Sequence, residues 1–285
     1  MNRIEKSVKI LVIALMIMAF QQTSVPRAAA LQQPSAHHDN TPVQTGYAVV
    51  TPTSAATAGL VVFETFGKRR GTDTTQAGVL PANMTMHAIL VVSTSGRLSR
   101  NLGVAIANPG PTAAHITLSL RDDGGATLAT ETLTVNSLNQ TAKFVTELFS
   151  SQPSVPSDLT GTLDISSDLP VAVIGLRFRG QNFSTLPATN LSVPTPVPVI
   201  SPGIGGPAAV ILPQFAARGG WETEIVLANT GASAITVRVD IFGQNGQPLV
   251  ADLNGTSASS FVGINIPAGG VVILAPLDEH GDNDF

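Results

Sequence analysis

Residues 103–128 read GVAIANPGPTAAHITLSLRDDGGATL, and residues 224–249 read EIVLANTGASAITVRVDIFGQNGQPL. The two stretches align without a gap at an offset of 121 residues, with Ala107/Ala228, Asn108/Asn229, Gly110/Gly231, Gly125/Gly246 and Leu128/Leu249 identical. In the first, Ile116, Leu118 and Leu120 alternate with Thr117 and Ser119; in the second, Val237, Val239 and Ile241 alternate with Arg238 and Asp240. A period of two places apolar side chains on one face of an extended strand and polar ones on the other, the pattern of an antiparallel sheet with one dry face. Between the strands stand Asn108-Pro109-Gly110, Asp122-Asp123-Gly124-Gly125, Asn229-Thr230-Gly231 and Gln244-Asn245-Gly246, residues that accept positive φ or cap a tight turn at little cost.

The alternation recurs at Ile174, Leu176 and Phe178 against Gly175, Arg177 and Arg179. Helix is expected at one place, Thr141 to Phe149, where Phe144 and Leu148 fall on one side of two turns ahead of a Ser/Pro-rich stop. The chain therefore reads as all-β: two antiparallel β-sandwich modules in tandem, residues 68–190 and 205–276, with one short helix near 141–149. Pro194, Pro196, Pro198 and Pro202 make residues 191–204 a stiff linker, and residues 277–285 an acidic tail.

A weaker match joins residues 45–64, TGYAVVTPTSAATAGLVVFE, to residues 160–179, TGTLDISSDLPVAVIGLRFR, at an offset of 115. In the first module this segment comes last, after the helix, and the second module runs out near Pro276 without it. Residues 45–66 are thus expected to form a β-hairpin that completes a sandwich. Three partners stay open: the C-terminal module of the same chain, the edge of the first module, or the C-terminal module of another molecule. An unfinished sandwich exposes a row of unpaired N–H and C=O groups, which invites self-association by strand addition.

The 285 residues include 12% charged side chains, 43% apolar ones and no Cys. Disulfides, thiolate metal sites and a Cys nucleophile are excluded, so packing alone holds each core. A net charge of −4 offers no basic face for nucleic acid. Arg3, Lys6 and Lys9 precede an apolar run from Ile10 to Phe20, and Ala28-Ala29-Ala30 supplies small residues at a cleavage point. Residues 1–30 read as a signal peptide, because a run of this length spans only about 16 Å as a helix, with an uncleaved anchor as the alternative that the stretch containing Arg27 leaves open. Residues 31–44 follow as a flexible leader, and no later stretch is long and apolar enough to span a membrane. The expected location is secreted: extracellular, at the cell surface, or periplasmic.

The Ala-Asn-Pro-Gly and Ala-Asn-Thr-Gly starts, each followed by a strand and an Asp/Gly or Asn/Gly turn, resemble the immunoglobulin-like modules of secreted bacterial surface proteins, especially the CARDB-type adhesion modules. The resemblance extends through Lys143-Phe144, Glu147-Leu148-Phe149, Gly161-Thr162-Leu163 and Ile174-Gly175-Leu176-Arg177, and in the second copy through Gly219-Gly220-Trp221-Glu222-Thr223, Ser259-Ser260-Phe261 and Ile266-Pro267. It covers residues 45–276 and implies Ig-like sandwiches acting as spacers, stalks or adhesive elements. No catalytic residues come with it.

Candidate chemistry is sparse, and no catalytic, cofactor-binding or metal-ligating residue is assigned. His37-His38-Asp39 lies in the leader, where adjacent histidines cannot preorganise a tetrahedral site. His87 and His115 sit within strands, Asp122-Asp123 within a hairpin turn, and Gly203 to Gly206 in the linker without the Lys-Ser/Thr of a phosphate loop. Asp278 to Asp284 has the composition of a calcium loop without its spacing. Lys68-Arg69-Arg70, the basic cluster, suits either contact with an anionic surface polymer or simple solvation. Trp221, the sole Trp, suits either stacking on a sugar ring or anchoring the strand that follows it. The expected function is non-catalytic, a structural or adhesive protein binding a cell-surface polysaccharide or protein. Its rivals are a hydrolase whose site forms only in three dimensions, marked by a deep cleft holding two carboxylates or a His with an Asp, and a subunit that assembles by strand exchange.

Overall fold

Ile116, Leu118 and Leu120 are all buried, while Thr117 between them is exposed, so the period-two reading of this stretch is a strand with one dry face. The computed structural model describes residues 8–10, 45–51, 61–70, 73–192, 210, 212–218 and 222–283. It is all-β with antiparallel pairing throughout. Its first strands are β1 (Val8–Ile10), β2 (Ala48–Val50), β3 (Glu64–Arg70), β4 (Asp73–Val79), β5 (Met84–Thr94), β6 (Arg100–Asn108), β7 (Ala114–Asp122), β8 (Thr127–Val135) and β9 (Asn139–Phe144). A single turn of helix, α1 (Val145–Leu148), leads to β10 (Leu159–Arg179), β11 (Asn182–Pro187) and β12 (Thr189–Asn190). The C-terminal strands are β13 (Ile225–Ala228), β14 (Ile235–Asp240), β15 (Ala251–Leu253), β16 (Thr256–Ala258), β17 (Ser260–Ile266) and β18 (Val271–Leu274).

Strand β10 organises the N-terminal unit. Its first half, from Leu159 to Ser167, lies between β5 and β7; its second half, from Ala172 to Arg179, lies between β6 and β11. The change of partner falls at a register shift between Ser166 and Val171, where Pro170, with no N–H to give to a ladder, is tolerated. Eight strands, β5 to β12, form one continuous sheet folded over at this point into two layers. Ala88, Leu90 and Val92 of β5, Leu118 and Leu120 of β7 and Leu163 and Ile165 of β10 face Leu102, Val104 and Ile106 of β6 across a shared core.

Two expectations change here. The alternation over Ile174, Leu176 and Phe178 does not mean one wet face, because Val171 to Leu176 are buried on both sides. Val171 and Val173 belong to the main core, whereas Ala172, Ile174 and Leu176 join Ala105 and Ala107 in a second cluster covered by Tyr47, Val79 and Met84. The short helix expected near 141–149 is present in its second half, Val145 to Leu148, its first turn held by Glu147 Oε2 accepting from the Phe144 N–H at 2.8 Å, while the first half is strand, Gln140 to Phe144 pairing with Gly103 to Ala107. A ladder partner on β6 outweighs two turns' worth of weak helical periodicity.

The hairpin expected over 45–66 is not formed as such, since its two halves take other partners. β2 pairs with β1 and β3 pairs with β4, while Tyr47 lies against the outer cluster and Gln140 Nε2 donates to Thr45 Oγ1 at 2.8 Å. Of residues 1–44 only β1 is described, so the signal peptide and leader fall largely outside the described residues, as do 193–204 of the linker.

The C-terminal unit repeats local details of the N-terminal one. Asn108 Nδ2 donates to the carbonyls of Thr112 and Val135 while its Oδ1 accepts from the Gly110 N–H; Asn229 does the same with Ser233, Ile266 and Gly231. Pairing agrees: Ala114↔Val135 of β7 and β8 corresponds to Ile235↔Ile266 of β14 and β17, and Val104↔Lys143 to Ile225↔Leu274. The offset is therefore 121 on the first strands and 131 on their partners, which corrects the gap-free alignment past residue 243. The added residues belong to the excursion carrying the β15–β16 hairpin, whose Leu253 joins the local core with Ile225, Ile241 and Phe261.

Candidate functional site

The residues that converge most are arginines from neighbouring strands. On β10 the side chains in phase with the core residues Val171 and Val173 run on to Arg177 and Arg179, and on β6 those in phase with Leu102 and Val104 run back to Arg100. Arg100 pairs directly with Arg179 across the ladder, an arrangement that repels unless anions answer it. Glu224, just before β13, answers it. Both Nη atoms of Arg177 hold its carboxylate, with Nη2 to Oε2 at 3.2 Å, and Asn283 Nδ2 donates to the same oxygen. Arg100 Nη2 reaches the Asn283 carbonyl at 2.9 Å. The Glu224 side chain is 4% exposed and that of Arg177 20%. Burial, then the neighbouring charge of Arg177, lowers the Arg100 guanidinium below its ordinary value.

The acidic tail is the second half of this junction, and it is folded rather than frayed. The Asp278 N–H donates to the Asp282 carbonyl at 2.7 Å, and Asp278 Oδ1 accepts from the N–H groups of His280 and Asp282 at 2.8 and 2.9 Å. Arg97 Nη2 bridges Asp278, at 2.8 Å, and Asp282. Hydrogen bonding from the Asp282 backbone, followed by that from Arg97 and the His280 backbone, brings the Asp278 carboxyl down to about 2. Among the described residues no three His, Cys, Asp or Glu side chains group as a metal site.

Turn-on-turn packing completes the contact. The Val271 N–H donates to the Asp123 carbonyl at 3.0 Å, and Thr162 Oγ1 to the Gly269 carbonyl at 3.4 Å. Gly125 has φ +86°, and a Cβ there would collide with the Ala268 carbonyl. The sequence showed Gly125 as a turn residue; its second role, close approach to another segment, leaves no local mark.

The residues singled out from sequence are not brought together. Lys68 lies on β3 and its Nζ donates to Gln181 Oε1 at 3.2 Å; Arg69 and Arg70 follow it on the strand, opposite Thr74 and Asp73, with their side chains outside the description. Trp221 lies outside the described residues. His115 Nδ1 is 3.2 Å from Thr134 Oγ1 on an exposed sheet face.

His87 and Asp164 do meet, with Nε2 and Oδ2 3.0 Å apart across β5 and β10. Their side chains are 42% and 22% exposed, on the face opposite Leu90 and Leu163. The nearby hydroxyl of Ser192 accepts from the backbone N–H groups of Met86 and His87 at 3.1 and 2.9 Å, while the Leu191 N–H donates to the His87 carbonyl at 2.8 Å. These bonds staple residues 190–192 along β5, and they carry the ordered sandwich past the expected boundary at 190. A cleft of about 340 Å³ in the C-terminal unit is lined chiefly by Leu253, Phe261, Val262, Ile264 and Leu274. The Asn254 side chain on its wall is bonded to the Ile273 carbonyl and the Ala275 N–H, so the cleft offers apolar surface rather than acid or base.

No helix among the described residues is long and apolar enough to cross a membrane. No family model and no curated protein matches the chain. Among solved structures, the Anabaena sensory rhodopsin transducer is similar at 20% identity over 32% of this chain and 95% of its own, with a TM-score of 0.28. The structure titled Thermotoga maritima 1070 is similar at 14% identity over 38% of this chain and 92% of its own, also with a TM-score of 0.28.

Proposed function

We propose that the chain is a secreted, non-catalytic structural or adhesive protein, exported through residues 1–30, that holds two sandwich-like units in fixed relation at a cell surface and binds a surface polysaccharide or protein or acts as a spacer. The observation that carries this reading is the junction. Arginines of β6 and β10, with Arg97 in the turn before β6, pair with Glu224, Asp278, Asp282 and Asn283, and the 121–125 turn seats the 268–271 turn by backbone contact. The Arg177–Glu224 pair, of low exposure, and the interlocked turns resist bending, the property a spacer or a stalk-borne binding surface needs.

The test is small-angle scattering of the full chain beside the Glu224→Ala variant, together with a polysaccharide and protein binding array. A single rigid envelope that loosens in the variant supports the structural reading, and an array hit identifies the adhesive form. An envelope that is already an average over many inter-unit angles in the native chain overturns it.

Hydrolysis has one observation behind it, the His87–Asp164 pair. Geometry argues against it: Nε2 faces the carboxylate, the pair lies on the sheet face opposite Leu90 and Leu163, and the Ser192 hydroxyl is engaged by two backbone donors. Ester, glycoside or peptide hydrolysis abolished by His87→Ala, with melting unchanged, would establish it instead.

A further inference from the structure

The N-terminal unit shows what its strand pairs require. β6 pairs with β9 on one edge and with the second half of β10 on the other; β7 pairs with β8 on one edge and with the first half of β10 on the other. In the C-terminal unit β13 and β14 occupy the places of β6 and β7, and β18 and β17 those of β9 and β8. Among the described residues nothing stands where β10 would stand, and β13 and β14 each have one ladder partner. Beyond Leu274 the described chain turns through Asp278–Asn283 and fastens to Arg97 and Arg100 of the other unit.

A segment with the pattern of β10 exists at the other end of the chain. Residues 45–64 match 160–179, and that range lies wholly within β10, a single strand of 21 residues. Val49, Val61 and Phe63 of this segment are 45%, 78% and 74% exposed, and in the match to β10 Val61 and Phe63 take the places of Leu176 and Phe178, which are covered in the outer cluster of the N-terminal unit. Within one molecule its ends sit on the wrong side to fill the gap. Tyr47 and Val79, the latter paired with Glu64, pack on the face of β10 that carries Ile174 and Leu176, while Glu224 reaches β10 from the face that carries Arg177.

We propose that residues 45–64 of a second copy of this chain enter the C-terminal unit as its missing strand, pairing with β14 through their first part and with β13 through their last. The inference rests on the structural reading above and names its partner as the chain itself. Carrying the β10 register across gives a specific alignment: Val50 opposite Val239 and Thr51 opposite Arg238. Main-chain hydrogen bonds along two open edges supply affinity, and Ala48 and Val50, in the places of the core residues Leu163 and Ile165, supply register.

The chain has no Cys, so any disulfide is the engineered one. Thr51→Cys combined with Arg238→Cys places thiols on a directly opposed pair, and both positions are exposed, which spares the core. Thr51→Cys with Thr236→Cys is the control two residues out of register. Under mild oxidation the first variant is expected to form disulfide-linked dimers and longer multimers several times faster than the control, and a synthetic peptide of residues 45–64 is expected to suppress them. A disulfide-linked monomer, equal rates in the two variants, or failure of both to cross-link while their thiols still react with a maleimide would overturn the proposal. A rigid scattering envelope in that event leaves the spacer reading standing, so the two fail separately.

Discussion

The two units share a wiring detail and differ in what surrounds it. Asn108 and Asn229 tie the same turn to the same strand end, at 1% and 4% exposure. Around the first, β10 threads two layers and gathers nineteen buried apolar residues; around the second, six are gathered among the described residues, and Ile235, Phe242 and Val262 stay exposed. One sequence pattern thus makes a complete core or a partial one according to whether a strand bridges its layers. Hydrophobic burial scales with the area removed from water, so the two units are expected to differ in stability by more than any local bond explains.

The strongest way to break this comparison is to unfold the protein. In dilute, monomeric protein Tyr47, the sole Tyr, packs on the N-terminal sandwich, and Trp221, the sole Trp, stands in the sequence just ahead of β13, so their fluorescence reports on the units separately. In urea the Trp signal is expected to change first and the Tyr signal later. Leu163→Ala, in the first half of β10 at 0% exposure, is expected to lower the later step by about 3 kcal/mol and leave the earlier one in place. Coincident transitions that move together in the variant would show one cooperative unit and end the comparison.

The second prediction addresses the junction. Glu224→Ala leaves Arg177 half-covered beside Arg100 and Arg179, at a cost of roughly 2–3 kcal/mol, below that of a wholly buried pair because Arg177 keeps some water. Replacing the pair by Arg177→Met with Glu224→Leu is expected to recover most of the loss in the same urea assay. If the double variant is as weak as the single one, the bond geometry, and not the stranded charge, sets the effect.

These residues also mark where sequence reading stopped. Strand identity was legible wherever one face meets water, as at Ile116 to Leu120, and so were the turns at Asn108 and Asn229, because both signals are local. The doubly buried stretch of β10 was not, since its outer cover comes from Val79, nearly a hundred residues earlier in the chain, and from Tyr47, earlier still. The arginines were read as a wet face for the same reason: Glu224 lies 47 positions from Arg177, and Arg97 and Asp278 lie 181 apart. The ten added residues in the C-terminal unit leave no mark in the sequence, because Gly246 and Leu249 coincide with Gly125 and Leu128 although they lie in the connection between β14 and β15.

A smaller effect sharpens the likeness. Asn108→Ala and Asn229→Ala each strand buried carbonyls and a turn N–H, at a cost of about 1–2 kcal/mol apiece. Nearly equal losses, the first read from Tyr and the second from Trp, are expected, because the bonded groups are the same whatever core lies beyond them. A loss confined to Asn108 would mean that the partial core lets the second turn reach water.

The smallest effect concerns the clamp on the C-terminal side. Because the folded Asp278 carboxyl titrates near 2, below its ordinary value of 3.8, its contribution is complete above about pH 4 and disappears as the pH falls through 2. The charged form is held mainly by the Asp282 N–H, with Arg97 and the His280 N–H adding to it. Carboxyl-carbon NMR through an acid titration should therefore find Asp278 near 2 in the native chain. In Arg97→Ala the value should move only part of the way back, because the turn's own N–H groups still point at Oδ1. Full return to the ordinary value in that variant would mean that Arg97 builds the turn and that the tail has no fold without the sandwich it grips. A partial return means that Asp278 to Asn283 is preformed by its backbone and merely captured, so that the charged contact fixes the position of the C-terminal unit without having to order it.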